Sequence, residues 1–150
     1  MPLVRLIYAS GATDACDLKE LKAILKVARE NNRKEGVSGV LCYDPQYFLQ
    51  WLEGPRENIN LLYATILRDP RHTRVTILDY REVHHRIFSD WSMAYVSTRK
   101  MEQGILFKYA VGERFDPFVL TAEAAREFLI EISQTGYEFL NQTISDEDLS

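Results

Sequence analysis

The chain has 150 residues, ordinary apolar and charged content and a formal net charge of −4, which fits one domain with a proper hydrophobic core and a tail. The negative balance argues against a nucleic-acid backbone as principal partner, because neutralising phosphates takes a basic face. No apolar stretch is long enough to span a bilayer, Met1 to Leu6 lack signal-peptide character, and Cys16 and Cys42 stand far apart without metal-site spacing, so a cytoplasmic protein with reduced thiols is expected.

Leu3 to Ala9 alternate, with Val4, Leu6 and Tyr8 on one side and Arg5, Ile7 and Ala9 on the other, and form the first predicted strand. A polar loop, Ser10 to Ala15, leads to Asp17, which with Glu20 makes a capping-box-like start. The helix that follows spans Leu18 to Lys34, carries Leu18, Leu21, Ile24, Leu25 and Ala28 at helical spacing, and leaves through Gly36 in a left-handed turn. Val37 to Tyr43, the turn Asp44-Pro45-Gln46 and Tyr47 to Glu53 read as a hairpin. Gly54-Pro55 opens a second amphipathic helix with the stripe Ile59, Leu62, Tyr63, Ile66 and Leu67, which Asp69-Pro70 stops. Val75 to Val83 is a fourth strand and Trp91 to Ser97 a fifth, separated by the charged segment His84 to Asp90.

The order βαββαββ predicts an α+β sandwich of ferredoxin-like type, with two helices on one face of a mixed five-stranded sheet. Beyond Lys100, Thr121 caps a run with Ala125, Phe128, Leu129 and Ile132 on one stripe, ended by Gly136. That stripe is more apolar surface than a lone helix leaves in water, so it is expected on the sheet face away from the first two helices or on another subunit. Residues 1–98 are thus expected to form the domain and residues 99–150 a C-terminal helical extension, whose acidic end, Ser145 to Ser150, frays.

Three places break the pattern that core packing alone would write. The apolar stripe of the first helix runs into Asn31 and Asn32. A primary amide, with one acceptor and two donors in a plane, matches the carbonyl and N–H edge of a heterocycle such as a flavin pyrimidine. Asparagines also end helices, and on this feature alone that reading stands ahead. On the third strand Gln50 shares a face with Phe48 and Leu52, where an unsatisfied amide costs about 1–3 kcal/mol. On the first strand Tyr8 closes the face of Val4 and Leu6, and a buried phenol also needs a partner. If the two strands are neighbours, Tyr8 and Gln50 can bond to each other, with or without a ligand. The third place is Trp91-Ser92-Met93, where Trp91 and Met93 share a face and core filling is the commoner role. His72, His84 and His85 have no acid or thiol at ligand spacing, which argues against a metal, and no phosphate loop or nucleophile elbow is present.

Taken in order, RLIYAS around Tyr8, the ENN of the first helix, VSGVLCYD, FLQWLEG around Gln50, RDPRH after the second helix and WSM near the domain end resemble the BLUF photoreceptors, particularly their short forms. The resemblance covers about Leu3 to Ser97. It implies a sensor domain that is not an enzyme and holds a flavin without a covalent bond, FAD by family habit, with FMN or riboflavin as alternatives. The ring would slot between the helices against Ile24, Ala28, Leu41, Phe48 and Ile66, with Asn31 and Asn32 on its pyrimidine edge. Asp69, Arg71 and His72 would sit at the far end of the second helix. Tyr8 would donate an electron and a proton to the excited flavin, Gln50 would bridge Tyr8 and the ring, and Met93 and Trp91 beside Gln50 would carry the change into the sheet. Thr65 is a departure, standing where some members of the family have an arginine. The implied partners are the flavin, a downstream signalling protein and a second copy of the chain in a homo-oligomer. Two other readings stay open on the residues alone: a redox flavoprotein enzyme, and a ligand-free interaction module in which Tyr8 and Gln50 are a core pair.

Overall fold

The computed structural model describes residues 2–89, 94–97, 103–110 and 115–135. The elements are β1 (Leu3–Ala12), α1 (Leu18–Glu35), β2 (Ser38–Asp44), β3 (Tyr47–Pro55), α2 (Arg56–Arg68), β4 (His72–Val83), β5 (Ala94–Ser97), α3 (Gln103–Tyr109), a 3-10 turn (Pro117–Val119) and α4 (Ala122–Thr135). They form an α+β fold on one sheet with the strand order β4-β1-β3-β2-β5. The first four strands run antiparallel, and β5 lies parallel to β2. Trp91, Ser92, Met93, Gly136 and the acidic end lie outside the described residues.

Both faces of the sheet are covered, which is why β1 is buried along nearly its whole length. One face packs Val4, Leu6, Tyr8, Phe48 and Leu52 against Leu21 and Leu25 of α1 and Ile59 and Ile66 of α2. The other packs Ile7, Ala9, Leu49 and Trp51 against Phe88 and against Ala125, Phe128, Leu129 and Ile132 of α4. The apolar stripe of α4 therefore seats on the sheet, and Thr121 caps the helix by accepting from the Ala124 N–H at 3.0 Å.

Asp17 caps α1, its carboxylate accepting from the Glu20 N–H at 2.8 Å, and Gly36 leaves the helix at φ 70. The structure departs from expectation at three points. β1 continues to Ala12 instead of ending at Ala9, because Gly11 and Ala12 pair with Thr73 and His72 of a β4 that begins at His72 and not at Val75. Ser10 is buried and not in a loop. Leu67 is 54% exposed, since Ile59 and Ile66 alone give α2 its buried row.

β4 is one edge of the sheet. Its register with β1 shifts between Ile7 and Tyr8 and again between Ala9 and Gly11, and Arg74 takes a left-handed φ of 54.

β2 and β3 approach closely at Gly39, where a Cβ would lie 1.9 Å from the Trp51 carbonyl oxygen. Gly39→Ala should therefore lose about 3 kcal/mol, at the upper end for overpacking. Gly104→Ala on α3, where a Cβ meets nothing within 4 Å, should instead gain up to ~1 kcal/mol from helix propensity. Urea unfolding of the two variants checks the contrast.

Candidate functional site

Residues of α1, α2 and the sheet line a cavity of about 240 Å³. α1 contributes Ile24, Ala28, Asn31 and Asn32, β2 contributes Leu41, β3 contributes Phe48 and Gln50, and α2 contributes Ile66. Asp69, Arg71 and His72 close one end, and Tyr8 of β1 belongs to the same wall. Every described residue that the sequence singled out for ligand contact thus meets in one place, whereas Trp91 and Met93 lie outside the described residues. Ala23, Val27, Leu62 and Thr65 line the cavity too. Helical spacing could have found the first three, since Ala23 and Val27 precede Val27 and Asn31 by four, and Leu62 precedes Ile66 by four.

The sheet register places Tyr8 directly opposite Gln50, and Gln50 opposite Leu41 on its other side. The Tyr8 hydroxyl donates to Gln50 Oε1. Both side chains are buried, Tyr8 at 1% exposure. Burial, reinforced by the charge of Asp69 and by Tyr63, pushes the Tyr8 phenol far above its ordinary range, so it keeps its proton at any physiological pH.

Asn32 is buried at 3% exposure, while its backbone carbonyl accepts from the N–H groups of Gly36 and Val37 and closes the helix. Its main chain ends α1 and the residue also lines the cavity, so the helix-ending role of its backbone does not exclude a ligand role.

The far end is braced by charge. Arg71 grips Asp69 through Nε at 2.9 Å and Nη2 at 2.6 Å, and reaches Glu20 of α1 through Nη1 at 3.3 Å. The hydrogen bond from Arg71 holds the Asp69 carboxyl below its usual range. His72 meets the Ser10 hydroxyl through Nδ1 at 2.8 Å, and its ring centre lies 4.5 Å from that of Phe48. Thr65 turns its hydroxyl back to the Leu61 carbonyl at 3.2 Å. Cys16 and Cys42 are free and buried, and burial raises both thiols, Cys16 to about 11. Neither is a nucleophile at neutral pH.

The family profile described as "BLUF: Sensors of blue-light using FAD" matches residues 3–94. The photoactivated adenylate cyclase subunit beta of Euglena gracilis is 39% identical over 93 residues, which are 61% of this chain and 11% of that protein. The blue light- and temperature-regulated antirepressor BluF of Escherichia coli (strain K12) is 27% identical over 140 residues, 90% of this chain and 35% of that one. The chain therefore spans only a part of these longer relatives. Among solved structures, BlsA in its photo-activated state aligns with TM-score 0.78 at 33% identity, covering 86% of this chain and 93% of that one. The dark state of BlrB, a BLUF protein, aligns with TM-score 0.75 at 28% identity, covering 89% and 97%.

Burial lowers the His72 imidazole from 6.5 to about 4. The unfolded chain then binds the extra proton between those values, so the contribution of His72 to stability is level above 6.5 and falls as the pH drops through the window. His72→Gln, which keeps an acceptor for Ser10, should flatten this fall. Urea midpoints at about pH 7 and about pH 4.5 measure it, and equal losses in the two proteins would contradict the assignment.

Proposed function

The chain belongs to the BLUF family of blue-light sensors, and from that premise we propose a photoreceptor in which Tyr8 and Gln50 are the photochemical pair beside a non-covalently bound FAD. The observation that carries this reading is the buried hydrogen bond from the Tyr8 hydroxyl to Gln50 Oε1, in the wall of a cavity otherwise mostly apolar.

The residues fit a flavin. Ile24, Ala28, Leu41, Phe48 and Ile66 give the apolar contacts a planar ring needs, and the amides of Asn31 and Asn32 suit the alternating donors and acceptors of its pyrimidine edge. A cavity of about 240 Å³ is small beside the ~300–1,000 Å³ of common ligand sites, which suits a ring held inside and a nucleotide tail held outside. Asp69, Arg71 and His72 stand where that tail would leave. We take FAD over FMN or riboflavin because the family description names it.

A bound flavin would supply absorption of blue light and an electron-accepting excited state. In this reading Tyr8 supplies the electron and the proton of its hydroxyl, and that proton has a ready acceptor in Gln50. Return of both to Tyr8 leaves Gln50 rotated or in another tautomer. Such a hydrogen-bond change is worth about 1–2 kcal/mol, enough to bias a bistable element. The sheet is the natural conductor, because Gln50 is followed in β3 by Trp51, which packs on the opposite face with α4. We read the strand order as ferredoxin-like, residues 1–98 as the sensor and residues 99–150 as an output extension that signals to a partner protein and turns over no substrate.

Protein purified from a flavin-making cell should be yellow and show a small, reversible red shift under blue light. Tyr8→Phe and Gln50→Leu should keep the colour and lose the shift; a normal shift in Tyr8→Phe would refute the mechanism. Asn32→Ala should weaken flavin retention by ~1–3 kcal/mol, measured by titration of the apoprotein. Protein that is colourless and also refuses added flavin would overturn the whole reading.

A further inference from the structure

The sheet face turned away from the cavity carries a second concavity, of about 480 Å³, bounded by the strands, the segment after β4 and the first turns of α4. Arg5 of β1 lies there at 6% exposure, its Cζ 5.2 Å from the centre of the Trp51 indole. Asp79 is shared, one oxygen taking Arg5 Nε at 2.8 Å and the other Arg81 Nε at 3.1 Å. Glu53 is occupied as well, accepting from the Trp51 indole N–H and from the backbone N–H groups of Ile87 and Phe88.

A guanidinium presents five N–H donors in a rigid fork. Arg5 and Arg81 each spend only Nε, and among the described residues no hydrogen bond engages their terminal nitrogens or Arg126 at the start of α4. The acids that remain, Glu82 and Glu123, sit at the exposed rim, and Glu82 pairs with Arg56. On the floor Arg5 therefore has donors to spare while the acceptors of Asp79 and Glu53 are used, and Arg81, its side chain 60% exposed, and Arg126 add donors at the rim. What completes it is an acceptor of planar, two-oxygen shape, which a carboxylate is. A doubly charged phosphate would meet four carboxylates around the same concavity. Ile87, 42% exposed on the rim, adds an apolar step beside the charge.

We propose that this concavity is a docking subsite for one carboxylate side chain, next to an apolar residue, on a partner protein. The site is independent of the flavin reading, because Arg5 and Tyr8 project to opposite faces of β1, so each can fail without the other. The test uses the full chain in the dark, labelled with ¹⁵N, and follows the Arg5 Nε–H and Trp51 indole N–H resonances. The probes are a blocked peptide of three Glu-Leu repeats, the matching Gln-Leu peptide, glutarate and inorganic phosphate. The Glu-Leu peptide should move both resonances saturably, with glutarate and the Gln-Leu peptide about tenfold weaker, a difference of ~1.4 kcal/mol, and phosphate without effect. Arg126→Glu, on the rim and clear of the core, should weaken the peptide about tenfold, as should Arg5→Lys, which keeps a cation for Asp79 but loses the fork. Equal binding of the Glu-Leu and Gln-Leu peptides, or an unchanged affinity in Arg126→Glu, would overturn the site. Glutarate as tight as the peptide would overturn the protein partner in favour of a free organic acid, and displacement by phosphate would overturn carboxylate selectivity.

Discussion

The register between β1 and β3 is the constraint on which the rest depends. Tyr8 faces Gln50, Ile7 faces Trp51 and Ala9 faces Leu49, so a single pairing assigns the phenol and the amide to the helix face and the indole to the other. A slip by one residue would send Tyr8 to the far side and Ile7 into the cavity. Because both faces are packed, such a slip would bury the wrong side chains twice over, and the register is correspondingly well specified. Gly39 tightens it from the next strand, where only a residue without a Cβ tolerates the Trp51 carbonyl.

Held in that register, the sheet carries the buried polar groups Arg5, Ser10, Ser38, Gln50, Glu53 and Asp79, with Asn32 of α1 above it. Well-packed apolar residues would often be as stable in such places or more so. The network around Glu53 has a structural use, since it fastens the segment after β4 to β3, helped by Arg86 through Ser38 and the Glu53 carbonyl. The groups around the cavity have none so evident. The Tyr8 hydroxyl donates to Gln50, and the position of the pair in the wall is explained better by the proposed ring than by packing.

Alternation on β1 and β3, the Asp17 cap, the Gly36 exit and the α4 stripe were legible because each is written within a few neighbouring residues. Asn31 and Asn32 were legible as an anomaly, though sequence could not divide the main-chain role of Asn32 from that of its side chain. Ser10 was read as loop because its partner, the His72 ring, stands far along the chain and nothing local announces it. Leu67 fits a helical stripe by spacing, but the buried row of α2 is that of Ile59 and Ile66, and Leu67 stands exposed beside it. Arg5 and Asp79 were hidden for the same reason as Ser10. A buried ion pair is a property of two strands brought together, and each member alone looks like a surface charge.

The irregular course of β4 bears on how molecules of this kind meet. A long strand at the rim of a sheet is an open template, inviting another chain to add itself and another after that. Here the rim is bent by two register shifts and by the left-handed Arg74, and it carries the charged side chains of Arg81 and Glu82 at the far end. A straight incoming strand would find its row of hydrogen-bonding groups out of step with its own. Sheet-to-sheet growth is blunted at this border.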